Sequence, residues 1–177
     1  ASQGVSLIVP SMTGIGEAVR EGYRQAQADY HGLYFMAKFI PMRGYDQEAE
    51  VNADMDLGLT QQFIRKTFIT SYSDMILGFP GGLGTLDTLM EALTLAQTGK
   101  VKNLAVIPVG RAYWKSWERM FSHHLADYGM ISEQDIRRFR SVNTADAIEA
   151  RIRQTYQRKF PGSSPVGRKE ENLSSPV

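Results

Sequence analysis

The chain of 177 residues contains no cysteine, and this absence excludes several classes of site. Disulfide bonds, thiol catalysis and zinc or iron–sulfur centres with cysteine ligands are ruled out. A chain without disulfides also suits a reducing compartment, so we expect a cytoplasmic protein.

The sequence also lacks an excess of either charge and a long apolar run. Its 20 basic and 19 acidic residues give a net charge of +1, so charge does not favour nucleic acid or an anionic membrane as a partner. No apolar stretch approaches the ~20 residues that a membrane-spanning helix needs. The short apolar segment near the N-terminus has no basic residue before it, so a signal peptide is not predicted.

Short apolar runs alternate with helical patterns along the chain. Strands are predicted at Val5–Val9, Leu33–Ile40, Met75–Phe79, Leu104–Pro108 and Phe139–Val142. Helices are predicted at Ile15–Ala28, Leu59–Ser71, Leu83–Thr98, Tyr113–Leu125 and Ala145–Tyr156, with a long loop at Pro41–Asp56. Repeated strand–helix units predict an α/β fold, in which a parallel sheet carries helices on both faces.

The composition changes once, after Phe160, where serine, proline and charged residues replace the apolar pattern. Segments of that composition bury too little apolar surface to fold. We therefore predict a single domain over residues 1–160 and a polar tail over residues 161–177.

The loop after the third predicted strand contains three glycines in four positions, Gly81, Gly82 and Gly84. Glycine lets a ligand approach the backbone closely, and the helix that follows presents free N–H groups at its positive end. Together with the hydroxyl of Thr85, these groups predict an anion site, most naturally for a phosphate. The structural alternative is a tight turn in which Thr85 caps the helix.

The segment at 80–100, PGGLGTLDTLMEALTLAQTGK, resembles the PGGxGTxxE segment of the Lonely Guy (LOG) family, whose members have often been labelled lysine decarboxylases. Upstream, residues 62–66 (QFIRK) fall where that family has an aromatic-x-Arg-Lys element. Downstream, the resemblance continues through residues 103–114 and 125–139. It covers the chain from about Val5 to Tyr156.

The resemblance implies a modified Rossmann fold and a homodimer, or a higher oligomer, with active sites at the subunit interface. The implied activity is hydrolysis of the N-glycosidic bond of nucleoside 5'-monophosphates, which releases a free base and ribose 5-phosphate. The base is a cytokinin in the plant-hormone branch, and AMP is a common substrate of bacterial members. No metal or organic cofactor is implied.

The family pattern assigns roles to residues of this chain. Arg65 matches the arginine that contacts the substrate or stabilises the leaving base, although an exposed helix face is the structural alternative. Lys66 beside it is placed with the phosphate-binding residues in a supporting role. The remaining phosphate-binding candidates are Thr13, Gly14, Gly81, Gly82, Gly84 and Thr85.

Two positions depart from the family pattern. Thr88 stands where the motif has glutamate, and a threonine can neither carry a negative charge nor act as an effective base. Glu91 lies one helical turn further along and is the nearest carboxylate on that face. The family's first loop, GGGxxGxM, corresponds to residues 9–16, where only Gly14 and Gly16 remain and Pro10 lacks an N–H donor.

The residues therefore support two hypotheses. The first is a nucleoside 5'-monophosphate N-glycosidase, impaired because Thr88 replaces the glutamate. The second is an inactive binding protein, which acts as a partner subunit of an active paralogue or carries a phosphate-bearing ligand. A pyridoxal-phosphate decarboxylase is excluded because the match supplies neither a Schiff-base lysine nor a partner for the ring nitrogen.

Other features favour structural roles. His123 and His124 are adjacent on a helix and do not face one metal ion. Tyr113, Trp114 and Trp117 are interpreted as core or dimer packing rather than base stacking. The family also has a strand–helix unit before Val5, for which this sequence has no room.

Overall fold

The computed structural model of the chain describes residues 6–10, 14–27, 34–39, 55–59, 61–159 and 161. The chain divides into two compact units, and the boundary lies between Arg65 and Lys66. Of the sequence predictions, Thr13 and nearly all of the 161–177 tail lie outside the described residues.

The first unit contains a parallel three-stranded sheet with the order β1-β2-β3. Its elements are β1 (Leu7–Val9), α1 (Ile15–Gln27), β2 (Tyr34–Phe39) and β3 (Met55–Leu59). Leu7 lies opposite Tyr34, and Phe35 lies opposite Met55. Helix α1 begins after Gly14, whose φ of 61° is in the region that favours glycine. The strand–helix–strand order that the sequence predicts is confirmed for this unit.

Strand β3 differs from the sequence prediction, which placed a loop up to Asp56 and a helix from Leu59. The structure has a strand over Met55–Leu59, paired in parallel with β2, and the next helix begins at Gln62. The five residues MDLGL alternate between apolar and polar or small side chains, which is the period of a strand. The prediction was wrong here because this short alternation follows a long polar stretch.

The second unit begins within helix α2 (Gln62–Tyr72) and contains a parallel pair of strands. Its further elements are β4 (Met75–Gly78), α3 (Leu83–Gln97), β5 (Ala105–Pro108), α4 (Arg111–Met120), a π-helical segment (Phe121–Ala126), α5 (Glu133–Arg138) and α6 (Ala145–Lys159). In the β4–β5 pair, Met75 lies opposite Ala105 and Gly78 opposite Pro108. All pairings between the described strands are parallel, so the predicted α/β class is confirmed.

The predicted strand at Phe139–Val142 is reduced to one isolated bridge, between Val142 and Val109. The residues just before it form α5, which the sequence prediction missed. A capping box explains this helix, since the Ser132 hydroxyl accepts from the Asp135 N–H while the Asp135 carboxylate accepts from the Ser132 N–H. Phe139 ends the helix inside the core, with its ring 5.5 Å from that of Trp114.

The core of the second unit lies between α3, α4 and the two strands. Leu89 and Ala92 of α3 are buried, as are Ile107 of β5 and Trp114 of α4. Gly78 lets α3 approach β4 closely, since a Cβ there would lie 2.5 Å from a methyl carbon of Leu89. This packing sets the direction of α3 as it leaves the glycine loop. Within the described ranges, no helix has both the length and the apolar character needed to span a membrane.

Candidate functional site

The glycine loop joins the end of β4 to the start of α3. Gly82 is the cap residue of α3, and no side chain caps the helix. Its carbonyl accepts hydrogen bonds from the N–H groups of Thr85 (3.0 Å) and Leu86 (3.2 Å). The N–H groups of Gly82, Leu83 and Gly84 have no acceptor among the residues that the structure describes. The loop therefore presents three consecutive backbone donors at the positive end of a 15-residue helix.

Thr85 packs directly on Gly81. A Cβ at Gly81 would overlap the Thr85 hydroxyl oxygen and would lie 2.9 Å from the Thr85 Cβ. The Thr85 hydroxyl does not cap the helix, so the capping alternative is wrong. Within the described part of the chain this hydroxyl has no hydrogen-bond partner, and it remains available to a ligand.

Two aromatic residues of α4 hold the loop and the strand before it. The Tyr113 hydroxyl donates to the carbonyl of Gly81 at 2.6 Å. The Trp114 indole N–H lies 3.0 Å from both the Gly78 and the Val109 carbonyl oxygens. Trp114 is fully buried, which confirms the predicted core role, whereas Tyr113 is partly exposed.

The contact of Tyr113 with the loop was missed from the sequence. A signal for it was present, because β4 and β5 were both predicted as strands of one parallel sheet. The carboxyl ends of parallel strands meet at one edge of the sheet, so the loops after neighbouring strands lie close together. The helix after β5 was therefore a candidate support for the glycine loop after β4.

Thr88, at the family's glutamate position, uses its hydroxyl inside its own helix. Its Oγ1 donates to the carbonyl oxygen of Gly84 at 3.0 Å, one turn earlier. This i to i−4 bond is a usual arrangement for threonine within a helix. The side chain is only half-exposed, and it supplies neither a charge nor a base.

Lys66 connects α2 to α3 through two ion pairs. Its Nζ lies 2.9 Å from Oδ1 of Asp87 and 2.8 Å from Oε2 of Glu91. The hydrogen bonds that Lys66 donates to Glu91, and then to Asp87, raise the pKa of its ammonium group. Lys66 is therefore engaged by two carboxylates of α3.

The other candidate residues belong to the first unit. Arg65 precedes Lys66 on α2, and its side chain is partly buried. Burial lowers the pKa of the Arg65 guanidinium, which nevertheless stays protonated at neutral pH. Gly14 lies at the start of α1, where its carbonyl accepts from the Ala18 N–H at 3.1 Å.

No cluster of three or more metal-ligating side chains occurs within the described ranges. His123 and His124 lie on the π-helical segment, where His123 is 3.9 Å from the Asp127 carboxylate. Both histidines are exposed, as expected for a solvated surface.

A family model described as "possible lysine decarboxylase" matches residues 17–152. The match includes the candidate residues from Arg65 to Glu91, whereas Thr13 and Gly14 lie before it. No curated protein sequence matches the chain.

Proposed function

The chain belongs to the possible lysine decarboxylase family, the LOG-like family that its glycine motif resembles, and on this premise we propose that it is a nucleoside 5'-monophosphate N-glycosidase. It binds the 5'-phosphate of an AMP-like nucleotide at residues 81–85. Water then replaces the base at the sugar carbon, and the products are the free base and ribose 5-phosphate. We place this activity in the cytoplasm and in a homodimer or higher oligomer.

The observation that carries the proposal is the set of backbone donors at the start of α3 that have no acceptor among the described residues. A phosphate accepts hydrogen bonds from such N–H groups, and the helix dipole favours its negative charge. The Thr85 hydroxyl adds a side-chain donor beside them. In the family pattern an arginine contacts the substrate, and Arg65 occupies that position in the sequence.

The reaction needs a group that stabilises the positive charge of an oxocarbenium-like transition state and a group that activates water. In the family pattern the motif glutamate supplies this chemistry. Thr88 stands at the position of that glutamate in this chain. Glu91 is the remaining carboxylate on that helix face, and it is engaged in an ion pair with Lys66. The proposed hydrolysis is therefore slow.

Incubation of the protein with a panel of nucleoside 5'-monophosphates, followed by chromatography of the free base, tests the activity. We expect base release from AMP above the rate without protein, together with an equal amount of ribose 5-phosphate. The matched nucleosides without phosphate serve as controls and release no base. Release from none of the nucleotides would contradict the hydrolase proposal.

A second function, binding without turnover, is favoured by the hydrogen bond from Thr88 to Gly84 and the ion pair of Glu91 with Lys66. The hydroxyl at the family's glutamate position and the nearest carboxylate of α3 are thus both engaged in contacts within the protein. In this case the chain binds a nucleotide or another phosphate-bearing ligand and acts as a carrier or as the partner subunit of an active paralogue. Calorimetric titration with AMP separates the two functions, because binding with no base release supports the second.

A further inference from the structure

The peptide group between Gly81 and Gly82 is flanked by glycine on both sides. Neither flanking residue has a Cβ, so rotation of this peptide plane meets little steric resistance. Within the described ranges, the Tyr113 hydroxyl is the one side-chain group that hydrogen-bonds to this peptide, at 2.6 Å from the Gly81 oxygen. The orientation of the Gly81–Gly82 peptide therefore depends on Tyr113.

The geometry of a trans peptide couples its two polar groups. The C=O and N–H of one planar trans peptide point in opposite directions, so a fixed Gly81 carbonyl also fixes the Gly82 N–H. This N–H is the first of the three donors that have no acceptor among the described residues. Rotation of the peptide by half a turn would present the Gly81 oxygen in place of that donor, and an anion would be repelled.

Tyr113 is itself held by the core. Its ring packs edge-on against Trp114 with 4.7 Å between the ring centres, and Trp114 is fully buried. Helix α4, which carries both residues, begins at Gly110, whose N–H donates to the Val142 carbonyl at 2.9 Å. A side chain anchored in this way can restrain the Gly81–Gly82 peptide, to which no other side chain hydrogen-bonds within the described ranges.

We propose that Tyr113 is a positioning residue for anion binding: its hydroxyl holds the Gly81–Gly82 peptide so that the Gly82 N–H faces the ligand. The first part of the proposal, the orientation of the peptide, concerns the protein without ligand. The second part, the contribution to phosphate binding, rests on the proposed function of this loop. The two parts are therefore tested separately, with Tyr113→Phe as the variant because it keeps the ring packing and removes only the hydroxyl.

The first test uses the ligand-free protein and the amide signal of Gly82 in a nitrogen–proton correlation spectrum. We expect one sharp signal in the parent protein and a shifted, broadened or doubled signal in Tyr113→Phe. Tyr128→Phe is the matched control, because Tyr128 is 74% exposed, and it leaves the Gly82 signal unchanged. An unchanged Gly82 signal in Tyr113→Phe would overturn the proposal.

The second test is calorimetric titration of the parent protein and both variants with AMP. We expect Tyr113→Phe to bind AMP about five- to tenfold more weakly, because the Gly82 N–H then faces the ligand in only a fraction of the molecules, and to have a slightly lower urea midpoint. Equal affinities of the parent and Tyr113→Phe would overturn the role in anion binding. Absence of binding by the parent protein, with a changed Gly82 signal in the variant, would contradict the proposed function and leave the positioning of the peptide supported.

Discussion

The first turn of helix α3 and its middle turns differ in how their polar groups are used. At the first turn, the N–H groups of Leu83 and Gly84 and the hydroxyl of Thr85 have no partner within the described ranges. In the middle, the Thr88 hydroxyl bonds to the Gly84 carbonyl, and Lys66 pairs with the carboxylate of Glu91. One helix thus combines a first turn with donors that have no partner among the described residues and middle turns whose polar groups are already engaged.

This difference means that anion binding and catalysis of hydrolysis would depend on different turns of α3. Backbone N–H groups bind an anion whatever the local side chains are, so the glycine loop retains its capacity when the sequence around it changes. Acid–base catalysis instead needs one carboxylate with a suitable charge at one place. Replacement of the motif glutamate by Thr88 removes that group while the loop stays intact. The proposed function predicts retained binding and weak hydrolysis, and the following experiments test both halves of the comparison.

The largest effect is expected from Thr88→Glu, which places a carboxylate at the family position. Base release from AMP should rise by about 100-fold or more, the usual contribution of a positioned acid–base group. Chromatography of the free base measures the rate. Thr94→Glu is the matched control, because Thr94 also bonds to a carbonyl one turn earlier in α3, and it should leave the rate unchanged.

The same comparison includes Thr88→Ala. This variant should hydrolyse AMP at the rate of the parent protein, because the Thr88 hydroxyl is engaged within the helix. No gain in Thr88→Glu would show that the chemistry does not depend on this position.

At the first turn, Gly81→Ala should weaken AMP binding by about tenfold or more, because the new methyl group overlaps Thr85 and displaces the loop. The free energy of unfolding should fall by about 1 to 3 kcal/mol. Calorimetric titration and urea unfolding measure the two effects. Gly82→Ala is the control, since a Cβ at Gly82 meets nothing within 4 Å, and it should fold with nearly unchanged stability.

Asp135 of α5, which accepts a hydrogen bond from Gln97 in the last turn of α3, offers a test of pH dependence. Burial by itself raises the pKa of Asp135. Hydrogen bonds donated by Ser132, Gln97 and Arg138 outweigh this effect and lower the pKa to about 2. Because the folded pKa lies below the unfolded value of 3.8, the stabilisation is complete above pH 4 and is lost as the pH falls towards 2. Asp135→Asn should reduce the free energy of unfolding by about 1 to 2 kcal/mol at pH 7.

Urea unfolding between pH 2 and pH 7 measures this dependence. The stability difference between parent and Asp135→Asn should shrink below pH 4. Asp146→Asn, at an exposed position on α6, is the control and should follow the parent profile. A constant difference across this range would show that the ionised carboxylate is not the source of the effect.

The smallest effect is expected from Lys66→Met, which removes both ion pairs between α2 and α3. The urea midpoint at pH 7 should decrease, and the decrease should be smaller in 1 M salt because salt screens exposed charges. The raised pKa of Lys66 means that its contribution is present at neutral pH and is lost as the pH rises above the usual lysine range. Lys100→Met, at an exposed lysine, should change the midpoint little at either salt concentration.

Sequence patterns predicted the parallel α/β class and most element boundaries. Helix α3 was expected at Leu83–Thr98 and spans Leu83–Gln97, because a strand, a glycine loop and a regular apolar face mark both its ends. Strand β3 was missed because five alternating residues after a long polar stretch are a weak signal. Helix α5 was missed because its capping box, Ser132 with Asp135, was not recognised.

The local features of the candidate site were predicted from the sequence, whereas its long-range contacts were not, for a physical reason. The glycine loop and the replacement at Thr88 are local features of consecutive residues, so they can be recognised from the sequence alone. The supporting contacts are long-range. Lys66 and Asp87 are separated by 21 positions, and Tyr113 and Gly81 by 32.

The sequence by itself therefore determined the family, the glycine loop at the start of α3 that is proposed to bind an anion, and the absence of the motif glutamate at Thr88. The tertiary structure alone decided that Lys66 is used by Asp87 and Glu91, and that Tyr113 holds the Gly81 carbonyl. The reason is that local conformation follows from neighbouring residues, whereas the partner of a side chain depends on which helices the parallel strands bring together.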